Sequence, residues 1–89
     1  MDADELNKAF IAAQETSRTD PPSSMSSDTK LSIYALYKQS EVGPCNIKRP
    51  SFFDQVGRAK WDAWSALGAL SQEDAKKQYV DVVTKGYSS

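Results

Sequence analysis

The residues best suited to chemistry lie near the middle of the chain. Tyr34, Tyr37 and Lys38 stand at i, i+3 and i+4, so a helix sets them on one side. Phe52 and Phe53 follow, and Lys60 directly precedes Trp61. Cations beside aromatic faces suit a ligand that carries phosphates and a flat ring. A lysine ammonium neutralises phosphate as a point charge. A tyrosine ring can stack on a base while its hydroxyl reaches a phosphate oxygen. The same spacing also serves packing, with both tyrosines half-buried and Lys38 extended along an apolar surface into water.

Covalent catalysis has little to work with. The 89 residues contain no histidine, which removes serine-histidine and cysteine-histidine nucleophiles and histidine-ligated metals. One cysteine, Cys45, allows neither an intrachain disulfide nor a Cys-x-x-Cys site. It follows Pro44 in a turn-like stretch and reads as a small loop residue, with Lys48 and Arg49 only loosely placed to activate a thiol. No catalytic residue and no metal site is expected. The chain reads as a binder, not an enzyme.

Charge is spread unevenly. Eleven basic against twelve acidic residues leave a formal net charge of -1, which disfavours a broad polyanion surface. Residues 1–29 hold two cations against six acids, for -4; residues 30–60 hold six against two, for +4; residues 61–89 hold three against four, for -1. The basic segment is the aromatic one. Six cations are few for nucleic acid, so no nucleic-acid partner is expected; such binding would fall steeply with salt.

A mass of 9.8 kDa suits one small domain, expected over 1–89. Hydrophobic residues at 39% and charged residues at 26% fit a globular chain. The acidic start, Met1-Asp2-Ala3-Asp4-Glu5, lacks the basic and apolar stretches of a secretory signal. No long apolar run occurs, and a lone thiol fits a reducing compartment, so a cytoplasmic location is expected.

Periodicity predicts four helices and no strands. The first runs from about Ala3 to Thr16, with Leu6, Phe10 and Ala13 on one face. Residues 17–27 break the pattern with Asp20-Pro21-Pro22 and several serines, and read as a loop with almost no apolar anchor. The second helix is expected from about Asp28 to Val42, capped by Ser27 or Asp28 and stopped by Gly43-Pro44. The third covers roughly Gln55 to Leu67, with Gly68 as C-terminal cap. The fourth starts after Ser71, with Asp74 three residues on as in a capping box, and ends at Gly86. The first two connections are long and the third is short, which allows neighbours that a plain up-down-up-down bundle forbids.

The stretch Tyr34-Ala35-Leu36-Tyr37-Lys38-Gln39, then Val42-Gly43, Asn46, Arg49-Pro50 and Lys60-Trp61-Asp62-Ala63-Trp64 resembles the acyl-CoA-binding protein family. Ser71, Glu73-Asp74-Ala75 and Tyr79 continue the pattern at matching spacing. The resemblance covers residues 31–83 without a gap and, more weakly, the first helix. It implies an all-α four-helix bundle in up-down-down-up order. It also implies reversible binding of medium- to long-chain acyl-CoA, with fatty acyl-CoA as ligand and no cofactor. By the same resemblance, Tyr37 stacks on adenine. Tyr34, Lys38 and Lys60 hold the ribose 3′-phosphate, Tyr79 closes the nucleotide site, and Ala35 and Leu36 join the contact set.

The chain departs from the family pattern in several places. The loop before the second helix is longer than usual by about five residues and borders the acyl end of the groove in the family. Gln14 stands where many members carry a contacting lysine, and Arg58 keeps a charge where lysine is common. Lys30 takes a place usually apolar, and Phe10 one usually small. Gly86 replaces a core leucine, so the last turn is expected to fray. Trp61, Trp64 and Arg49-Pro50 are expected to pack and to fix the long connection.

The leading expectation is a monomeric intracellular carrier and buffer of acyl-CoA for lipid metabolism, with transient contact with lipid-metabolising enzymes or a membrane surface. The alternative is a helical protein-interaction module that uses the same surface.

Overall fold

The structure, a computed structural model, describes residues 2–88. Four helices follow one another: α1 (Ala3–Ser17), α2 (Ser27–Val42), α3 (Gln55–Ser65) and α4 (Gln72–Tyr87). Each N-terminus has a side-chain acceptor for an otherwise unpaired amide. Asp2 accepts from the Glu5 amide at 2.8 Å and Asp54 from Gly57 at 2.9 Å. Ser71 accepts from Asp74 at 3.1 Å, as the capping-box spacing predicts.

Three ends differ from expectation, and one loop gains an anchor. Ser26, not Ser27 or Asp28, caps α2, accepting from the Thr29 amide at 3.1 Å. Helix α4 runs through Gly86 to Tyr87. Gly86 is a close-approach residue and not a terminator: a Cβ there would lie 2.9 Å from Met25 Cε and 3.3 Å from Thr29 Cγ2. Met25 is therefore the apolar anchor that the serine-rich loop seemed to lack. The Tyr87 hydroxyl ties the other end of the loop, 3.3 Å from the Ser17 carbonyl oxygen and 3.2 Å from that of Thr19. The last turn, Val83 to Gly86, which is expected to fray, carries these contacts together with Tyr87. Helix α3 stops at Ser65, and the reversal that follows contains Gly68 at φ +58, a left-handed conformation glycine adopts without strain.

Contacts across the helices fix their directions. Lys60 stands over Tyr34 and Lys38 over Trp64, so α2 and α3 run parallel. Gln39 meets Leu70 and Tyr37 meets Tyr79, while Thr29 faces Gly86, so α2 and α4 are antiparallel. Lys76 reaches Asn7 and Tyr87 reaches Ser17, so α1 and α4 are parallel. The order is up-down-down-up, as the family pattern implied. A parallel α2–α3 pair requires a connection that returns the chain along the bundle, which residues 43–54 provide.

That return segment is fastened to α3. The Trp64 indole N–H donates to the Gly43 carbonyl at 2.9 Å, and that of Trp61 to the Ile47 carbonyl at 2.8 Å. Arg49 makes a two-pronged bond to Asp62 at 3.1 and 2.9 Å. These are the packing roles expected of Trp61, Trp64 and Arg49.

The core joins Phe10 and Ala13 of α1, Leu36 of α2, and Ala75, Tyr79 and Val83 of α4. Phe10 meets Tyr79 edge-on at 5.2 Å between ring centroids. Gln39 is a fully buried polar residue. Its amide donates to the carbonyls of Gly68 and Leu70 at 3.0 and 2.8 Å, holding the α3–α4 reversal against α2. Among the described residues, no helix is long and apolar enough to cross a membrane.

Candidate functional site

α1 packs on α4, and α2 packs on α3 and α4, while the backbones of α1 and α2 stay apart. The gap between α1 and α2 is a cleft of about 380 Å³. Tyr34 and Tyr37 line it from α2, Gln14 from α1 and Tyr79 from α4. Five of the residues singled out from the sequence, these four and Lys30, therefore share one wall system.

Within the cleft, Tyr37 is 37% exposed and tilted toward Tyr79 at 6.1 Å, whereas Tyr79 is 1% exposed. The upper ring offers a face to a ligand, and the lower ring supports it. Burial pushes the Tyr79 phenol above its ordinary value. Tyr79 thus stays neutral and serves as a packed, hydrogen-bonded floor.

The predicted cations stand outside the lining of the cleft. The Lys60 ammonium lies 5.2 Å above the Tyr34 ring, so it adjoins the cleft at the α3 side. Lys38 lies 5.3 Å over the Trp64 ring, on the α2–α3 seam. Arg58 lies 5.6 Å over the Phe52 ring and does not line the cleft. Ala35 and Leu36 are buried, Leu36 in the core cluster, because their helical faces turn toward the neighbouring helices. Neither side chain lines the cleft.

Lys30, a departure from the family pattern in the sequence, also lines the cleft, and other residues enter that sequence reasoning did not assign. Lys30 and Arg18 line the cleft as cations, and none of its lining residues is acidic. Pro21, Met25 and Ile33 supply apolar wall, and Tyr87 a further phenol. Ile33 and Lys30 were within reach of periodicity, since they sit one turn and less before Tyr34 and Tyr37. Arg18, Pro21 and Met25 lie in a loop, where spacing carries no such signal. The arrangement can place a flat ring on Tyr37, apolar chain against Met25 and Ile33, and anionic groups near Lys60, Lys30 and Arg18.

Comparison with known proteins agrees with this geometry. Residues 7–83 match the model of the Acyl CoA binding protein family. The chain is similar to human enoyl-CoA delta isomerase 2, 54% identical over 57 residues that make 64% of this chain and 14% of that protein. Acyl-CoA-binding domain-containing protein 1 of Arabidopsis thaliana is 40% identical over 79 residues, 89% of this chain and 23% of that protein. The chain thus spans less than a quarter of either relative. Among solved structures, Oryza sativa acyl-CoA-binding protein 2 superposes with a TM-score of 0.85 at 38% identity, over 92% of this chain and 88% of that one. ACBP from Moniliophthora perniciosa gives 0.75 at 33% identity, over 100% and 86%. The ordered tyrosine, lysine and tryptophan pattern, the up-down-down-up bundle and the matched span lead to one assignment: the chain belongs to the acyl-CoA-binding protein family.

Proposed function

We propose that the chain binds medium- to long-chain acyl-CoA reversibly and serves as a carrier and buffer of these thioesters in the cytoplasm. It acts as one monomeric domain, without a cofactor and without catalysing a reaction on its ligand. The isomerase named among its relatives is several times longer, and that activity is not carried over to this chain.

The observation that carries the reading is the exposed Tyr37 ring over the buried Tyr79 floor, with Lys60 above the adjoining Tyr34. The adenine ring stacks on Tyr37, and Tyr34, Lys60 and Lys38 hold the ribose 3′-phosphate. Reaching it takes Lys60 and Lys38 off their aromatic perches, a small cost for an exchange of a ring face for a phosphate dianion. Each acyl methylene buried in the cleft adds about 0.8 kcal/mol. A free fatty acid lacks both base and phosphate, and free CoA lacks the chain, so each alone binds weakly.

Calorimetric titration with an acyl-CoA, the matching free acid and CoA tests this. Tight binding of the acyl-CoA alone is expected. Equal weak binding of all three sinks the reading.

A further inference from the structure

The turn that leads into α3 exposes apolar surface that the cleft does not use. Phe52 is 71% exposed, Phe53 is 91% exposed and Val56, on the first turn of α3, is 68% exposed. The two phenylalanine rings meet each other edge-on at 5.7 Å and do not enter the core cluster. A contiguous exposed apolar patch marks an interaction surface, whereas single scattered apolar residues do not.

We propose that this turn is a docking surface for an anionic lipid bilayer. Charge around it favours that partner. The Arg58 guanidinium stands 5.6 Å over the Phe52 ring, and among the described residues no carboxylate pairs with it. Lys48, in the same connection, is likewise unpaired. Asp62 is neutralised by Arg49, and Asp54, which caps α3 through the Gly57 amide, keeps its charge, so Arg58 and Lys48 leave this segment with an excess of one positive charge. Aromatic rings settle at the headgroup level of a membrane, and neighbouring cations are drawn to anionic headgroups.

Size argues in the same direction. Two rings and a valine fall well short of the roughly 800 Å² per partner that a stable protein interface needs. A bilayer needs no matching partner surface, only a few anchors and the right sign of charge. Phe52, Phe53 and Val56 line no part of the cleft, so docking leaves it open to exchange ligand. The proposal does not depend on which ligand the cleft holds.

Vesicle co-sedimentation of the full chain decides it. The vesicles are pure phosphatidylcholine or phosphatidylcholine with phosphatidylserine. Binding to the anionic vesicles is expected, weakening as salt is raised. The double variant Phe52→Ser, Phe53→Ser should bind them at least about tenfold more weakly, because two apolar anchors are lost. Its melting temperature should match that of the parent, and its calorimetric titration with acyl-CoA should be unchanged. No binding to either vesicle, equal binding to both, or unchanged binding by the double variant overturns the proposal. So does self-association of the parent that the double variant loses, if the parent ignores vesicles; the patch then joins two copies of this chain.

Discussion

The Tyr79 hydroxyl lies 2.7 Å from Ser17 Oγ, across the join between α4 and α1. Ser17 Oγ donates its own hydrogen to the Gln14 carbonyl at 3.0 Å, so the phenol is the donor in the longer-range bond. One buried ring therefore packs the core, supports Tyr37 and pins the end of α1.

Removing that hydroxyl separates these roles. Tyr79→Phe should lower stability by about 1 kcal/mol, the usual net worth of one hydrogen bond. Urea unfolding of the two proteins measures it. The phenol also carries a pH signature. Burial raises its folded pKa above the unfolded value of 10.0. That contribution is complete below the unfolded pKa and is lost as pH rises through the folded one. The stability difference between parent and Tyr79→Phe should stay flat from neutral pH to about 9, then shrink in more alkaline buffer. A difference that is constant through pH 11 contradicts the assignment.

Gln39 is a stronger stability test. Gln39→Ala removes two donors from the Gly68 and Leu70 carbonyls and leaves a cavity. The expected loss is about 2–4 kcal/mol. Gln39→Glu should be worse, because a carboxylate would face two carbonyl oxygens without a proton to share. Thermal melting at neutral pH ranks the three proteins.

Gly86 tests the docking of the loop. Gly86→Ala gains about 1 kcal/mol of helix propensity, displaces the flexible end of Met25 and presses on Thr29 Cγ2 by a few tenths of an ångström, so the effects nearly cancel. Gly86→Leu must push the Met25 and Thr29 side chains away and should cost about 1–3 kcal/mol. Amide exchange at residues 19–25 should speed up in the leucine variant and stay near parent rates in the alanine variant. Equal exchange in all three would mean that Met25 does not hold the loop.

Lys60 tests the ligand side. It has no ion pair among the described residues and sits over Tyr34. Lys60→Ala should leave the melting of the free protein within about 0.5 kcal/mol. Its affinity for acyl-CoA should fall by about tenfold or more, the loss of one charge-assisted contact. A variant that loses stability and affinity in step would make Lys60 a structural residue.

Much of this protein follows from local pattern. Leu6, Phe10 and Ala13 predict a buried face because a helix returns to the same side every three to four residues. Ser71 and Asp74 mark the start of α4 because a short hydroxyl three residues before an amide can cap it. The Tyr34-to-Trp64 pattern identifies the family and with it the bundle. Absence of histidine narrows the chemistry before any fold is known.

What periodicity could not reach depends on residues far apart in the chain. Gly86 has the form of a helix stop, yet it lies within α4, packed against Met25, sixty-one positions earlier. The cap of α2 falls on Ser26, beside that same docked Met25. Lys38 and Arg58 have the form of phosphate ligands, and the fold sets one on Trp64 and the other on Phe52. The sequence by itself determined helix faces, the cap of α4 and the family, because these rest on neighbours within a turn or on an ordered motif. Only the tertiary structure decided which cations border the cleft and which rings face water, because the first depends on how α1 and α2 both pack on α4 and the second on how residues 43–54 are fastened to α3.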